Sequence, residues 1–144
     1  MRAVQVTRLD GPSAVEIVDL PTPDRGSRKL LVDVKAAGMA FPDTLLTRGL
    51  YQIKPALPFV PGAEVAGLVA SAPEGGEFRV GDRVAAFPGF GGYAEHVAVD
   101  PAFVFPLPER LSFEAGAALP MNYLTCHFAL VTRAAQLLAH DAGD

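Results

Sequence analysis

Short apolar stretches alternate with turn-forming residues along most of the chain, and this pattern predicts a mainly β protein. Residues 2–7 and 15–19 are rich in Val and Ile and are separated by the turn residues 10–13, which predicts a hairpin-like pair. Further strands are predicted at 30–36, 62–72, 80–86, 93–99 and 103–106. Short strands at this spacing are typical of a barrel or a sandwich.

Two short helices interrupt the strands. Residues 42–48 begin with Pro42, whose fixed φ suits a first helical turn, and Gly49 follows as a C-terminal stop. Ser112 has the side chain of a helix cap and precedes a second short helix at 113–118. The fold class is therefore mainly β with short helices (α+β).

The strongest periodic signal lies after Pro120, which is expected to end the second helix. From Asn122 onward, apolar residues recur at helical spacing and predict one face of a long C-terminal helix, with His140 in its last turn and Gly143 just beyond. These residues are Leu124, Phe128, Val131, Ala135 and Leu138.

Composition and charge exclude several classes of function. The 144 residues contain 12 Lys and Arg against 16 Asp and Glu, and they form no basic stripe for nucleic acid or an anionic membrane. The long apolar runs are interrupted and the N-terminus lacks a signal-peptide pattern, so a cytoplasmic, non-membrane protein is expected. Cys126 is the single cysteine, which excludes an intrachain disulfide and fits a reducing compartment.

Five motifs in register resemble one protein family. They are GMAFPD at 38–43, RGLY at 48–51, LPFVPGAEVAG at 57–67, VGDRV at 80–84 and GGYAE at 91–95. Together they resemble the N-terminal, GroES-like domain of the medium-chain dehydrogenase/reductase superfamily, most closely its zinc-independent NADPH:quinone oxidoreductase branch.

That resemblance implies a distorted β-barrel that forms the substrate half of a two-domain enzyme. Residues 1–122 would be the GroES-like domain and residues 123–144 the exit helix, which leads toward a Rossmann domain that this sequence does not contain. Without that partner domain, the apolar face of the helix is expected to stay uncovered and to promote self-association.

The resemblance also allows a prediction of whether the protein binds zinc. Zinc alcohol dehydrogenases carry a Cys and a His at the positions that match Ala40 and Ala63, and a methyl group cannot ligate a metal. The cysteines of the family's structural zinc site are missing as well, so no bound zinc is expected. The three histidines, His96, His127 and His140, do not share a metal-ligand spacing.

Without zinc, activation of an alcohol is disfavoured, whereas hydride delivery to a polarised double bond stays feasible. The resemblance implies transfer of hydride from NADP(H) to a quinone or an α,β-unsaturated carbonyl. An enoyl-thioester reductase of the same superfamily and a non-catalytic GroES-like binding module are the alternatives. Because the sequence has no βαβ unit with a Gly-rich turn, the polypeptide alone is expected to bind no cofactor tightly and to be inactive.

Five residues are candidates for the site. By resemblance, Phe41, Asn122 and Thr125 would lie at the cofactor. Phe41, Tyr51 and His127 would line the substrate pocket, where His127 could donate a proton or hydrogen bond to the carbonyl. Each candidate also has a purely structural alternative. Phe41 could be a core side chain, Asn122 could cap the helix, the Thr125 hydroxyl could hydrogen-bond to its own backbone, and His127 could be a helical residue without a functional role.

Two further positions, Ala40 and Glu64, concern the polar groups of the candidate site. Many reductases of this branch carry Asn at the position of Ala40, so one polar contact is lost here. Glu64 is expected to be buried and hydrogen-bonded, and to give structural support rather than take part in catalysis.

Two further patterns imitate functional motifs. Residues 89–94 satisfy G-x-G-x-x-A, but a strand pattern follows where a dinucleotide site needs a helix, which favours a simple turn. Cys126 and His127 resemble a nucleophile and its base, yet adjacent helical residues point about 100° apart and do not face each other.

Overall fold

The computed structural model describes residues 1–134 and residue 136, and its N-terminal part is a two-stranded antiparallel sheet. Strand β1 (Arg2–Val6) pairs with β2 (Val15–Asp19), with Val4 opposite Ile17. The predicted hairpin-like pair is thus confirmed. A 3-10 turn at Gly11–Ala14, which the sequence pattern did not predict, leads from the first strand into the second.

The second sheet has five strands that are all antiparallel. They are β3 (Leu30–Gly38), β4 (Glu64–Ser71), β5 (Arg83–Ala86), β6 (His96–Val99) and β7 (Val104–Pro106), in the order β6-β3-β4-β5-β7. In the described part of the chain β6 and β7 are edge strands, so the sheet is open. The predicted barrel is therefore wrong as a closed structure, whereas the mainly β fold class is confirmed.

Alternation along these strands creates the main core. Val32, Val65 and Val84 are fully buried at 0% exposure and pack together with apolar side chains of β6 and β7. Burial of such side chains contributes about 1.5–3 kcal/mol each. This core fixes the sheet on which the loops and helices of the candidate site are mounted.

The described residues form three α-helices: α1 (Phe41–Leu46), α2 (Phe113–Ala117) and α3 (Pro120–His127). Helix α2 packs against β3, β4 and β5. Ser112 caps α2 as predicted, because its Oγ accepts a hydrogen bond from the Ala115 amide at 3.2 Å. Helix α3 begins at Pro120, so the prediction that this proline only ends the preceding helix was incomplete. Proline lacks an amide hydrogen and is favoured at the first position of a helix.

The predicted long C-terminal helix is shorter and less regular in the described residues. Helix α3 has eight residues and passes directly into a π-helical segment, Phe128–Arg133. Ala135, Leu138, His140 and Gly143, which belong to the same prediction, lie outside the described residues. Within the described residues, no helix has both the length and the apolar character needed to cross a bilayer.

Candidate functional site

A buried carboxylate connects α3 to the end of β3. Glu64 is 2% exposed, and its Oε2 accepts a hydrogen bond from the Met121 amide at 2.8 Å in the first turn of α3. Its other oxygen lies against Gly38, where an added Cβ would stand 2.5 Å from Glu64 Oε1 and 2.6 Å from the Ala117 carbonyl oxygen. The segment before α1 and the start of α3 therefore meet at this one side chain.

A second buried carboxylate fixes the start of α1. Asp43 Oδ2 accepts hydrogen bonds from the Ala40 amide at 2.9 Å and from the Tyr93 hydroxyl at 2.8 Å. The same hydroxyl oxygen lies 3.2 Å from the Gly38 carbonyl oxygen. Asp43 Oδ1 is buried and has no hydrogen-bond partner among the described residues. Neither Asp43 nor Tyr93 was assigned this role from the sequence, although both belong to motifs that the sequence singled out.

Burial and the charge of Asp43 affect the protonation of Glu64 and Tyr93. Burial, together with the negative charge of Asp43, raises the pKa of Glu64 above its usual value, and the Met121 amide opposes this shift. Burial and the hydrogen bond to Asp43 raise the pKa of Tyr93, so its hydroxyl stays protonated and keeps donating.

Two glycines of the motifs allow the chain to pack tightly beside this cluster. Gly62 has φ +98°, and a Cβ there would stand 2.6 Å from the Tyr93 amide nitrogen. A Cβ on Gly92 would stand 2.7 Å from the Gly62 carbonyl oxygen, which accepts a hydrogen bond from the Gly92 amide at 3.0 Å. The motifs at 57–67 and 91–95 thus contain glycine because their backbones touch.

The structure distributes the five candidate residues over two regions. Phe41 is the first residue of α1 and is 74% exposed, which excludes the core role that was its alternative. Tyr51 is half-buried and packs against a small apolar cluster that contains Leu46 and Phe59. Asn122, Thr125 and His127 are exposed on α3.

Two of the structural alternatives on α3 are settled by geometry. The Thr125 hydroxyl donates to the Met121 carbonyl oxygen at 2.6 Å, so this side chain does bond its own helix. Asn122 does not cap the helix, because Leu119 occupies the N-cap position and helix α3 already starts at Pro120. The sequence-based domain boundary after Asn122 falls inside α3.

A groove of about 690 Å³ lies elsewhere on the described surface. It is lined by residues of β1, β2, the second half of β3, α1 and the loop at 92–95, including Asp43 and Tyr93. None of the five candidate residues lines this groove in the described part of the chain. In the described residues, the groove and the candidate residues are therefore separate parts of the surface.

The residues at the family's zinc positions do not fit a metal ion. Ala63 is buried with a methyl side chain, and Ala40 contributes only backbone groups, since its amide donates to Asp43 Oδ2 and its carbonyl oxygen accepts from the Asp43 amide. Among the described residues, no group of three or more His, Cys, Asp or Glu side chains could hold a metal. The donor set that zinc requires is thus replaced by apolar groups at both positions.

The described residues do not form a dinucleotide site either. Residues 89–94, which imitate the glycine-rich fingerprint, lead into strand β6, and a nucleotide-binding turn requires a helix at that place. All strand pairs described are antiparallel, whereas a βαβ unit needs parallel neighbours.

Comparison with protein families identifies the domain. The family model described as "Alcohol dehydrogenase GroES-like domain" matches residues 26–109. The chain belongs to this family. Rat quinone oxidoreductase is 37% identical to this GroES-like domain over 99% of the chain and 46% of its own length. The predicted membership of the quinone oxidoreductase branch of the medium-chain dehydrogenase/reductase superfamily is confirmed.

Solved structures agree with this assignment. A probable oxidoreductase from Mycobacterium abscessus is 50% identical with a TM-score of 0.86, over 90% of this chain and 42% of its own. The quinone oxidoreductase from Thermus thermophilus, which has also been solved in complex with NADPH, is 41% identical with a TM-score of 0.78, over 90% of this chain and 40% of its own. The GroES-like domain spans about half the length of these relatives.

Proposed function

We propose that this GroES-like domain is the substrate-binding half of a zinc-independent, NADPH-dependent quinone or enone oxidoreductase. The observation that carries the proposal is the likeness to quinone oxidoreductases over nearly the whole chain, combined with alanine at both zinc positions. NADPH supplies hydride in such a reaction. Without a Lewis acid, the protein itself must orient the acceptor and stabilise the negative charge that develops on its oxygen.

In this proposal the acceptor lies on the exposed surface that Phe41 and helix α3 present. The exposed ring of Phe41 would provide a flat apolar wall for a quinone. Tyr51, which packs against the cluster that contains Leu46 and Phe59, would line the same pocket in this proposal. His127 on α3 donates a hydrogen bond to the carbonyl oxygen of the acceptor.

In this proposal, the hydroxyl oxygen of Thr125 accepts a hydrogen bond from the cofactor. Its proton is already donated to the Met121 carbonyl oxygen, so its oxygen faces outward as an acceptor. An acceptor at this place suits the amide hydrogens of a nicotinamide carboxamide, and Asn122, one helical turn before it, offers a second polar contact. Residues 1–122 then form the substrate domain, and residues 123–144 lead to the cofactor domain.

Glu64 acts as a positioning residue in this scheme. It is buried and does not reach the acceptor, yet it holds the Met121 amide and packs against Gly38. These contacts set the distance between the segment that carries Phe41 and the helix that carries Thr125. A cytoplasmic location completes the proposal, since Cys126 is the single cysteine in the sequence.

The test follows the absorbance of NADPH in the presence of the intact natural protein that carries this sequence. This absorbance falls when a quinone or thioester is reduced and rises when ethanol is oxidised by NADP⁺. 1,4-Benzoquinone, a crotonyl thioester and ethanol with NADP⁺ are offered in parallel, before and after treatment with 1,10-phenanthroline. We expect turnover with the quinone, none with ethanol and no effect of the chelator. Faster turnover of the thioester would favour an enoyl-thioester reductase, and absence of turnover with every acceptor would favour a binding module.

A further inference from the structure

The groove described above lies where the segment at 93–95 leaves β3 and pairs with β1. The Val34 amide still donates to the Glu95 carbonyl oxygen at 2.9 Å, which is the last backbone contact on the side of β3. On the other side, the Val4 amide donates to the Tyr93 carbonyl oxygen at 2.8 Å. The segment therefore connects the two sheets, and both of them line the groove.

Most of the side chains around the groove are apolar. Ile17 on β2 is 80% exposed, and Met39, directly after β3, is 86% exposed. Val4, Val15 and Val34 also line the groove. A concave surface of this kind suits the hydrocarbon part of a small molecule.

One buried carboxylate lines the groove among these apolar groups. Asp43 is 7% exposed, and its Oδ2 already accepts hydrogen bonds from the Ala40 amide and the Tyr93 hydroxyl. Its Oδ1 has no hydrogen-bond partner among the described residues. Because a buried polar atom without a partner is unfavourable, Oδ1 favours a ligand that can donate to it.

The cationic side chains that line the groove are paired with other carboxylates. Arg2 Nε lies 2.9 Å from Glu95 Oε1, and Lys35 Nζ lies 2.8 Å from Asp33 Oδ2. Within the part of the chain that the structure describes, no cationic side chain forms a salt bridge with Asp43. Its charge is therefore compensated by hydrogen bonds alone.

A second carboxyl group adds to the acidic character of this region. Glu64 is buried as well, and the negative charge of Asp43 is one of the causes that raise its pKa. A buried charge is stabilised most by a partner of opposite sign that also forms hydrogen bonds. The surroundings of Asp43 thus favour a cationic donor over a neutral one.

We propose that this groove binds a small apolar amine in its protonated form, whose ammonium group donates to Asp43 Oδ1 and whose hydrocarbon part contacts the apolar walls. The ammonium supplies both a donor and a counter-charge, whereas an alcohol supplies only a donor and a carboxylate supplies neither. The inference is independent of the proposed enzymatic function, because it concerns a surface that none of the candidate site residues lines.

The probes are three molecules of similar size: 2-phenylethylamine, 2-phenylethanol and phenylacetate. An alkyl ammonium, like that of lysine, stays protonated at neutral pH. Isothermal titration calorimetry with the intact natural protein that carries this sequence measures each Kd. We expect the amine to bind at least about tenfold more tightly than the alcohol, and phenylacetate to bind more weakly than both. Equal affinity of the amine and the alcohol, tighter binding of phenylacetate, or no binding of the amine would overturn the proposal.

Asp43→Asn tests the polar end of the groove. The asparagine keeps one oxygen for the Ala40 amide and the Tyr93 hydroxyl, but it removes the charge and places an NH₂ group where Oδ1 stands. The affinity for the amine should fall about tenfold, to that of the alcohol. Glu109→Gln removes an exposed charge of the same sign outside the groove, and it should have no effect.

Ile17→Ser tests the apolar walls without any change at Asp43, so it decides the location of the site even if Asp43→Asn does not fold. It should weaken the amine and the alcohol alike, by about threefold to tenfold, because it removes apolar contact area. Val80→Ser changes a side chain that is 71% exposed outside the groove, and it should leave both affinities unchanged. An amine affinity that Ile17→Ser or folded Asp43→Asn leaves at the wild-type value would place the amine elsewhere and overturn the proposal.

Discussion

The hydroxyl of Tyr93 donates a hydrogen bond to Asp43 Oδ2 across 2.8 Å and joins two motifs that lie fifty residues apart. The contact holds the first turn of α1 against the loop that leads into β6. Because Asp43 is 93% buried, its carboxylate depends on this donor and on the Ala40 amide for compensation of lost hydration. The motifs at 38–43 and 91–95 thus maintain the fold beside the site.

Replacement of Tyr93 by phenylalanine should destabilise the protein by about 1–3 kcal/mol, because Asp43 would lose a buried donor. Urea unfolding followed by circular dichroism measures the change. Tyr123→Phe is the control, since Tyr123 is 65% exposed, and it should change stability by less than about 0.5 kcal/mol. Equal effects of the two substitutions would show that the contact contributes nothing.

Glu64→Gln should alter how stability depends on pH. Burial raises the pKa of Glu64 in the folded state above its ordinary value of 4.5. Between the ordinary pKa and the raised pKa of the folded state, the unfolded chain loses the proton of Glu64 first. The free energy of unfolding of the wild type therefore falls as pH rises, until the folded-state pKa is passed. The neutral variant has no such loss.

The free energy of unfolding of Glu64→Gln minus that of the wild type should therefore increase as pH rises above about 4.5. This difference should level off beyond the raised pKa of Glu64. Urea unfolding midpoints measured from acidic to neutral pH provide the data. Glu74→Gln, on an exposed turn, is the control for loss of one surface charge. A difference that stays constant, or that decreases as pH rises, would contradict the claim that burial raises the pKa of Glu64.

Gly92→Ala should lower the free energy of unfolding by more than about 2 kcal/mol. Its Cβ would stand 2.7 Å from the Gly62 carbonyl oxygen and 2.8 Å from Val65 Cγ1, both in well-packed surroundings. Gly76→Ala is the matched control, because its Cβ would meet only the Pro73 carbonyl oxygen at 3.3 Å. Thermal unfolding compares the two, and similar melting temperatures would contradict the close backbone approach.

Much of the fold could be predicted from local sequence patterns. Alternation and turn residues identified the seven strands found among the described residues, and Ser112 marked the start of α2. Pro120 was more difficult, because proline suits both the end of one helix and the first turn of the next. The hydrogen bond from the Met121 amide to Glu64 in the first turn of α3 joins residues far apart in the sequence, and a local pattern does not record it.

The arrangement around the site could not be predicted in the same way. The contact between Tyr93 and Asp43 joins distant segments, and no periodic pattern records such pairs. The open sheet follows from the divergence of β6 and β3 after Val34, which depends on the pairing of residues 92–95 with β1. The roles of Phe41, Thr125 and His127 remain predictions, since they depend on an acceptor and a cofactor.

The C-terminal helical region should cause self-association. Leu124, Phe128 and Val131 are each about half exposed or more, and Arg133 is the only charged residue between 120 and 134. Such a surface is normally covered. Light scattering should show a molar mass that rises with concentration, and Leu124→Ser with Phe128→Ser should reduce the rise. A strict monomer at high concentration would contradict this expectation.

The most direct measurement is steady-state NADPH oxidation with 1,4-benzoquinone, made in parallel on the 144-residue chain and on the intact natural protein that carries it. If this domain supplies only the acceptor side of a hydride-transfer site, the intact protein turns over and the domain alone does not. Turnover by the domain alone at the rate of the intact protein, or no turnover by the intact protein, would contradict the proposed function.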